Sequence, residues 1–594
     1  MQTRLLKLRL RRRLRGSQQQ VEDIGSQAEA HIDKHLFRRF EHLYPVRRFI
    51  IGWVGLVLLL IIAVVAQDIT LSGYYQDLKT VPGGIYSEGL FGTFTNANPI
   101  YASTDADSTV SKLLFAGLLK SDDHGKLVSS LAKSYSVDSR GTTYTLHLKP
   151  NLKWQDGQPL TSKDVVFTFH TIQNPDAQSP LFSSWQGITI TALDNQTVEF
   201  KLPGILASFP YSLATGIIPE HILASVPLSD LRSSNFNTDK PVGAGPFMWD
   251  GLQVTNGNDL QNKQIQIALK PFSGYEGGKP KLDKFIVEVF ANTNQLVTSF
   301  ANKELTAMEA VTPPSKSVTN KAGVVSHNLL LRAANMVFFK TSSGVLADSS
   351  VRQALVDGSN TAQIINQLGY PTHQVNEPLL RGQLAYSAAY AQHSMDLKAA
   401  NQLLDSDGWT TIKGGTRYKA NQPLTFSLTA ANTPENQMVV SELKKDWQKI
   451  GVRLNTRMLA PADFQTSLSY HDYDSVLTAI SVGIDPDVFV YWDSSQADIR
   501  SNNRLNLSEY KNATADTSLE SGRTRLDPQI RIIKYKPFLQ AWQQDNPALG
   551  LYQPRLLYLT NGIVGGLSDH ALTSSTDRFS NVQNWEINEA RVSR

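Results

Sequence analysis

Cysteine is absent from all 594 residues. The chain therefore forms no disulfide, offers no thiolate nucleophile or thiolate zinc site, and has no cysteine to carry a lipid anchor. Histidine is sparse, 12 in all, and none stands in a His-Glu-x-x-His pattern. There is no Gly-x-Ser-x-Gly elbow and no phosphate-binding loop, so any ATPase working with this chain is a separate subunit. Ser-x-x-Lys occurs at Ser130, Ser441 and Ser508, but no Lys-Thr-Gly or Ser-Asp-Asn triplet accompanies it. Asp405-Ser406-Asp407-Gly408 opens like a calcium loop, yet Thr410 and Thr416 stand where that loop needs glycine and glutamate. His471-Asp472-Tyr473-Asp474 reads as a polar loop. These absences leave no catalytic residue, no cofactor site and no metal site to assign.

Long apolar runs are also missing, with one exception: Phe49–Ala66, 18 residues without a charge. At about 1.5 Å per residue it spans ~27 Å, enough to cross a bilayer core. Charge is distributed unevenly around it. Residues 1–48 carry 12 Lys/Arg against 5 Asp/Glu, a surplus of seven; the whole chain nets +4, so the remainder nets three negative. Arg47 and Arg48 abut the run, and the positive-inside rule puts 1–48 in the cytoplasm and everything after Ala66 outside. The competing reading is a cleaved signal, with Val64-Val65-Ala66 as its site. The run is longer and starts later than such signals do, which favours an uncleaved anchor. Within 1–48, Ile32, Leu36, Phe37, Phe40, Leu43 and Tyr44 recur at helical spacing. They fit either a basic amphipathic helix on the inner leaflet or a short lead-in to the span. The arginine cluster at 9–15 lacks interleaved aromatics, so no nucleic-acid partner is inferred.

Beyond a polar stalk, 67–82, the pattern is mixed α/β. Strands are expected at Thr142–Leu148, Thr197–Leu202, Lys263–Leu269 and Phe285–Val289, where apolar residues alternate. Helices are expected at Ser108–Leu119, Ser350–Leu368, Leu397–Leu404 and Glu435–Ile450. The stretch Asn151–His170 brings Asp156 and Asp164 close together in sequence, which raises the question of paired catalytic carboxylates. Local chemistry explains both: Asp156-Gly157 is a turn, and Thr161-Ser162-Lys163-Asp164 matches a capping box. The segment reads as scaffold.

The stretch from Leu114 to Phe169 resembles the first-lobe signature of oligopeptide- and dipeptide-binding proteins of ABC importers, solute-binding protein family 5. Six further marks follow in that family's order: "PVGAGPFMW" at 241–249, "YEGGKPKLDKFIVEVF" at 275–290, "VRQALVDGSN" at 351–360, "DLKAANQLLDSDGW" at 396–409, "IDPDVF" at 484–489 and "NPALGLYQPR" at 546–555. The resemblance spans about 85–590. It implies an α/β, two-lobed periplasmic-binding-protein-like fold of type II, in the cluster with an extra domain, preceded here by one transmembrane helix. The implied boundaries are 83–334 for lobe I with an inserted domain at about 126–215, 335–550 for lobe II, and 551–594 for the return to lobe I. It also implies capture of a peptide or similar oligomeric solute between the lobes, and partners in the form of permease subunits and a separate ATPase, with 49–66 as the membrane tether.

Site residues follow only from the resemblance. Backbone donors map onto Ser103, Thr104 and Asp105 in the first lobe and onto Thr478, Ala479 and Ile480 in the other. Pocket aromatics map onto Phe182 and Trp185, which suit a core or surface position equally well. The carboxylate that pairs with a peptide's α-ammonium in family members falls on Val482 or Gly483, and an arginine used for the peptide carboxylate falls near Val476. None of these is charged. Either a shifted acid, Asp485, Asp487 or Asp105, supplies the charge, or the ligand is not a short free peptide. Asp485 also suits a turn before Pro486, and Asp105 and Asp107 suit helix capping.

Overall fold

The computed structural model describes residues 47–310, 314–501 and 504–593. The basic segment 1–46, with its helical pattern at Ile32–Tyr44, lies outside the described residues. Contacts divide the chain into two units: residues up to Lys79 together with those from Glu589 on, and Thr80–Asn588.

The first unit is built on a helix, Arg47–Tyr75. Its stretch Arg48–Asp68 is long and apolar enough to cross a membrane. Phe49, Trp53, Leu56 and Leu60 are all exposed along it, an arrangement a water-facing helix avoids. The segment expected as a stalk, 67–82, holds a helix end and a strand. The helix continues to Tyr75, because a lone Gly73 costs only ~1 kcal/mol in a helix and no proline intervenes before Pro82. Gln76–Val81 then forms a strand paired with Asn588–Ser593.

In the second unit two sheets organise two lobes. The seven-stranded sheet of lobe I runs Val324–Leu330, Arg555–Asn561, Ala307–Ala310, Ile85–Phe91, Lys284–Phe290, Gln264–Pro271, Phe247–Thr255. The five-stranded sheet of lobe II runs Arg453–Leu459, Thr425–Ala431, Ser475–Ser481, Ala333–Phe339, Ala548–Tyr552. The chain passes between them twice, at Leu331-Arg332 and at Gln553-Pro554, and the crossings are tied by the Leu331 N–H donating to Pro554 O at 2.8 Å. A four-stranded sheet, Ala132–Val137, Thr143–Leu148, Thr197–Lys201, Thr189–Asp194, forms the additional domain on lobe I.

Two expected helices are shorter than their apolar patterns. Ser108–Leu119 becomes Asp105–Leu114, ending where Gly117 meets another part of the chain; a Cβ on Gly117 would lie 2.5 Å from Ala214 O. Ser350–Leu368 divides into Ser349–Asp357 and Thr361–Leu368, with Asn360 capping the second through Gln363 N–H. The other expected elements appear within a residue or two of their ends: strands at Thr143–Leu148, Thr197–Lys201, Gln264–Pro271 and Lys284–Phe290, helices at Leu397–Ser406 and Pro434–Gln448.

The return segment is held to lobe I by a buried charge cluster. Arg578, with no exposed surface, donates to Glu88 Oε1 at 2.5 Å and lies 3.3 Å from Glu309 Oε2. Tyr558 donates to Glu88 Oε2 at 2.5 Å and meets the Tyr86 hydroxyl at 2.6 Å. One guanidinium thus serves two carboxylates. Burial pushes Glu309 up to about 7; Arg578 opposes that shift, while Asp105 and Glu88 add to it.

Asn151–His170 is scaffold. Thr161 caps the helix Ser162–Gln173 with both halves of the capping box formed. Asp164 Oδ2 takes the Thr161 N–H at 2.8 Å. Asp156 Oδ1 accepts from the Gln158 N–H, its Oδ2 meets His221 Nε2 at 2.7 Å, and Gly157 sits at φ +90° in the turn. Thr161→Ala should cost ~0.5–2 kcal/mol of stability and leave solute affinity per folded molecule unchanged. Chemical denaturation beside calorimetry checks this, and an affinity loss at unchanged stability contradicts it.

Candidate ligand cleft between the two lobes

The strand Ser475–Ser481 is central in the lobe II sheet, yet only part of it is paired on both sides. It pairs with Ala333–Phe339 over its whole length, from Phe339↔Ser475 to Ala333↔Ser481. On its other side the pairing with Thr425–Ala431 stops at Ala430↔Leu477. Thr478–Ser481 therefore present a backbone edge that no strand among the described residues covers, although the Tyr491 hydroxyl donates to Ser481 O at 2.8 Å. An uncovered edge is a template for an added extended chain. Side chains alternate along it: Ile480 enters the lobe II core while Ala479 and Ser481 are exposed.

Past Ser481 the chain turns into the loop that touches lobe I. Val482 and Gly483 N–H groups donate to Arg332 O at 2.9 and 3.2 Å, and Gly483 adopts φ +70°. Asp485 is gripped by Arg531 in a two-pronged pair, 2.7 and 2.6 Å, with both side chains about nine-tenths buried. Asp485 Oδ1 also accepts the Asp487 N–H at 3.0 Å, closing a turn over Pro486. Asp487 then crosses the gap: its Oδ2 accepts from Ser208 Oγ at 2.9 Å and pairs with Arg523 at 3.2 Å. Arg523 O accepts the Ala207 N–H at 3.0 Å, and the guanidinium stacks 4.2 Å from the Phe489 ring centre. At the crossing, Arg332 donates to His124 O at 3.1 Å. The lobes are thus in contact, hydrogen-bonded across the opening.

Bacterial extracellular solute-binding proteins, family 5 (middle), match residues 126–501 of this chain. The chain belongs to this family. The oligopeptide-binding protein AppA of Bacillus subtilis (strain 168) is 25% identical over 488 residues, 80% of this chain and 87% of that protein. A solved structure of AppA from Bacillus subtilis with a nonapeptide aligns at TM-score 0.69 and 23% identity, covering 86% of this chain and 100% of that one. NikZ from Campylobacter jejuni, solved with Ni(L-His), aligns at TM-score 0.72 and 22% identity, covering 85% and 99%. The family 5 fold expected from the motifs is therefore present, extra domain included.

For this family 5 chain the expected site residues divide into distinct groups. Ser103, Thr104 and Asp105 form the entry to the helix Asp105–Leu114 rather than a strand. Thr104 is its N-cap, with a full capping box to Asp107, and its Oγ1 donates to Thr93 O. Asp105 is exposed in the first turn and lies near enough to raise the Glu309 pKa. Phe182 is half-buried in a four-residue helix tied to the same region by Ser179 Oγ donating to Ile100 O at 2.8 Å. Trp185 is not a pocket wall. It is 1% exposed and stacks on Phe169 at 3.9 Å between Phe200 and Phe209, in the core of the additional domain. Ile480 can offer only its main chain. Asp485 is the turn residue before Pro486, and its charge is matched by Arg531.

Sequence reasoning missed Arg531, Arg523 and Ser208, which lie 46, 36 and 279 positions from the acids they meet. It also missed the segment that braces the loop. Gln383 Nε2 donates to Gly483 O at 3.0 Å. In the same segment Glu377 is fully buried, and among the described residues its side chain accepts a hydrogen bond only from the Ser387 N–H, at 3.4 Å. Burial pushes Glu377 up to about 7.

That shift has a consequence for pH. The folded-state value lies above the unfolded one of about 4.3, so the contribution to stability is whole below pH ~4.3 and is lost as pH rises through about 7. Glu309 acts in the same direction and window. Stability should fall between pH ~4.3 and about 7, by about 1–3 kcal/mol per group. Glu377→Gln should flatten the slope. Denaturant titrations across that range measure it, and an equal slope in the variant contradicts the assignment.

Proposed function

We propose that this chain is the membrane-anchored receptor of an ABC importer. It captures peptides or similar oligomeric solutes between its lobes and passes them to permease subunits driven by a separate ATPase. The uncovered edge at Thr478–Ser481 carries this reading. It runs directly into the loop that meets the other lobe, so an extended solute could add as a strand and be enclosed by closure. Main-chain recognition of this kind gives affinity without reading side chains. Enclosure then follows from contacts that exist only in the closed state. Similarity to peptide-binding relatives points the same way.

The helix Arg47–Tyr75 is read as a single-pass anchor with 1–48 cytoplasmic and the two lobes outside. A tether of this kind holds the receptor near its permease at high effective concentration. The chain binds and delivers; no chemical step is assigned to it.

The charge pattern favours solutes that do not depend on a free α-ammonium. Val482 and Gly483 are neutral, and the acids beside them, Asp485 and Asp487, are both paired with arginines. This also leaves room for a non-peptide solute. For peptides that bind, N-terminal acetylation should change Kd less than tenfold, under ~1.4 kcal/mol. Calorimetry on matched free and acetylated peptides decides it. A hundredfold preference for the free amine would show that an acid is available after all, Asp105 on lobe I being the first to replace.

A further inference from the structure

A cavity of about 260 Å³ lies inside lobe I, beside the C-terminal half of the helix Asp105–Leu114. A single water needs only ~10–15 Å³ of such space, so this volume suits a solute. The return segment closes it through Thr576 and Ser580. Residues of lobe II take no part in its lining.

Its chemistry has one sign. Lys112 and Lys120 line it with the hydroxyls of Ser111, Ser130, Thr576 and Ser580, and no carboxylate does. Lys120 is partly satisfied, 3.3 Å from Tyr275 Oη and 3.6 Å from Glu276. Glu276 is shared with Lys149. Lys112 has no hydrogen-bond or ion-pair partner among the described residues and is part of the cavity lining. Burial lowers its pKa, with Asp577 opposing the shift. Asp577 is itself occupied, accepting the N–H groups of Thr573 and Ser574 at 3.0 Å. Ser111 and Ser130 make no side-chain hydrogen bond among the described residues. Partly buried, the Lys112 ammonium has Asp577 as its nearby opposite charge and stands beside the Ser111 and Ser130 hydroxyls.

We propose that this cavity is a second binding site, for a small oxyanion, a carboxylate or a phosphate group, held by Lys112 with Lys120, Ser111 and Ser130; the Ser580 hydroxyl is already committed to Asp123 at 2.6 Å. It is separate from the cleft between the lobes and does not depend on the solute-binding reading given above.

The test uses the full chain in detergent, titrated with inorganic phosphate and, separately, succinate, against chloride at matched ionic strength. Calorimetry and thermal unfolding are the readouts. One of the two anions should bind one per chain and raise Tm beyond chloride; a response to phosphate alone assigns a phosphoryl group, and to succinate alone a carboxylate. Lys112→Met should weaken that binding at least tenfold. Lys133→Met, an exposed lysine outside the cavity, should leave binding unchanged. The proposal is overturned if neither anion exceeds chloride at millimolar concentration, or if Lys112→Met binds as well as the unaltered chain.

Discussion

The pair between Asp485 and Arg531 is the interaction on which the cleft depends. Two hydrogen bonds in one plane fix the carboxylate, and the carboxylate in turn fixes the backbone over Pro486 by accepting the Asp487 N–H. That turn aims Asp487 at Ser208 on the other lobe. Removing one member of a pair this buried costs ~3–5 kcal/mol, much of it the penalty of the abandoned charge. The expense has a structural return: the turn is rigid where lobe II meets lobe I.

The same pair determines what the cleft can read. With Asp485 and Asp487 neutralised by arginines, the lobe II wall offers backbone groups and small side chains rather than charge. Thr478–Ser481 supply the free edge, and Ala479 and Ser481 present little bulk. A wall of that kind tolerates varied side chains on a bound chain. Acidic groups remain on lobe I, where Asp105 and Glu309 lie close enough to influence each other.

What was legible in the sequence was local or collinear. The Thr161 cap and the Asp156-Gly157 turn involve residues within a few positions, so their spacing alone revealed scaffold where paired acids had suggested chemistry. The seven marks disclosed the fold because their order along the chain is preserved. Features made by distant residues were hidden. Nothing near Asp485 announces Arg531, and nothing near Leu119 announces the approach of Ala214 to Gly117 that ends a helix early. Trp185 was misplaced because an aromatic after Ser-Pro looks the same whether it faces a cleft or a core; its stacking on Phe169 depends on the helix Ser162–Gln173 arriving from elsewhere.

The central claim is that a solute is enclosed by movement of one lobe against the other. The lack of native cysteine makes a direct measurement simple, since two introduced cysteines carry the only labels. Gln196→Cys on the additional domain of lobe I and Lys444→Cys on lobe II are both at exposed positions. Spin labels there report the separation of the lobes by double electron–electron resonance. With a peptide mixture that binds, the distance distribution should narrow and move to shorter values than in the solute-free chain. Binding with no change in the distribution would contradict capture by closure.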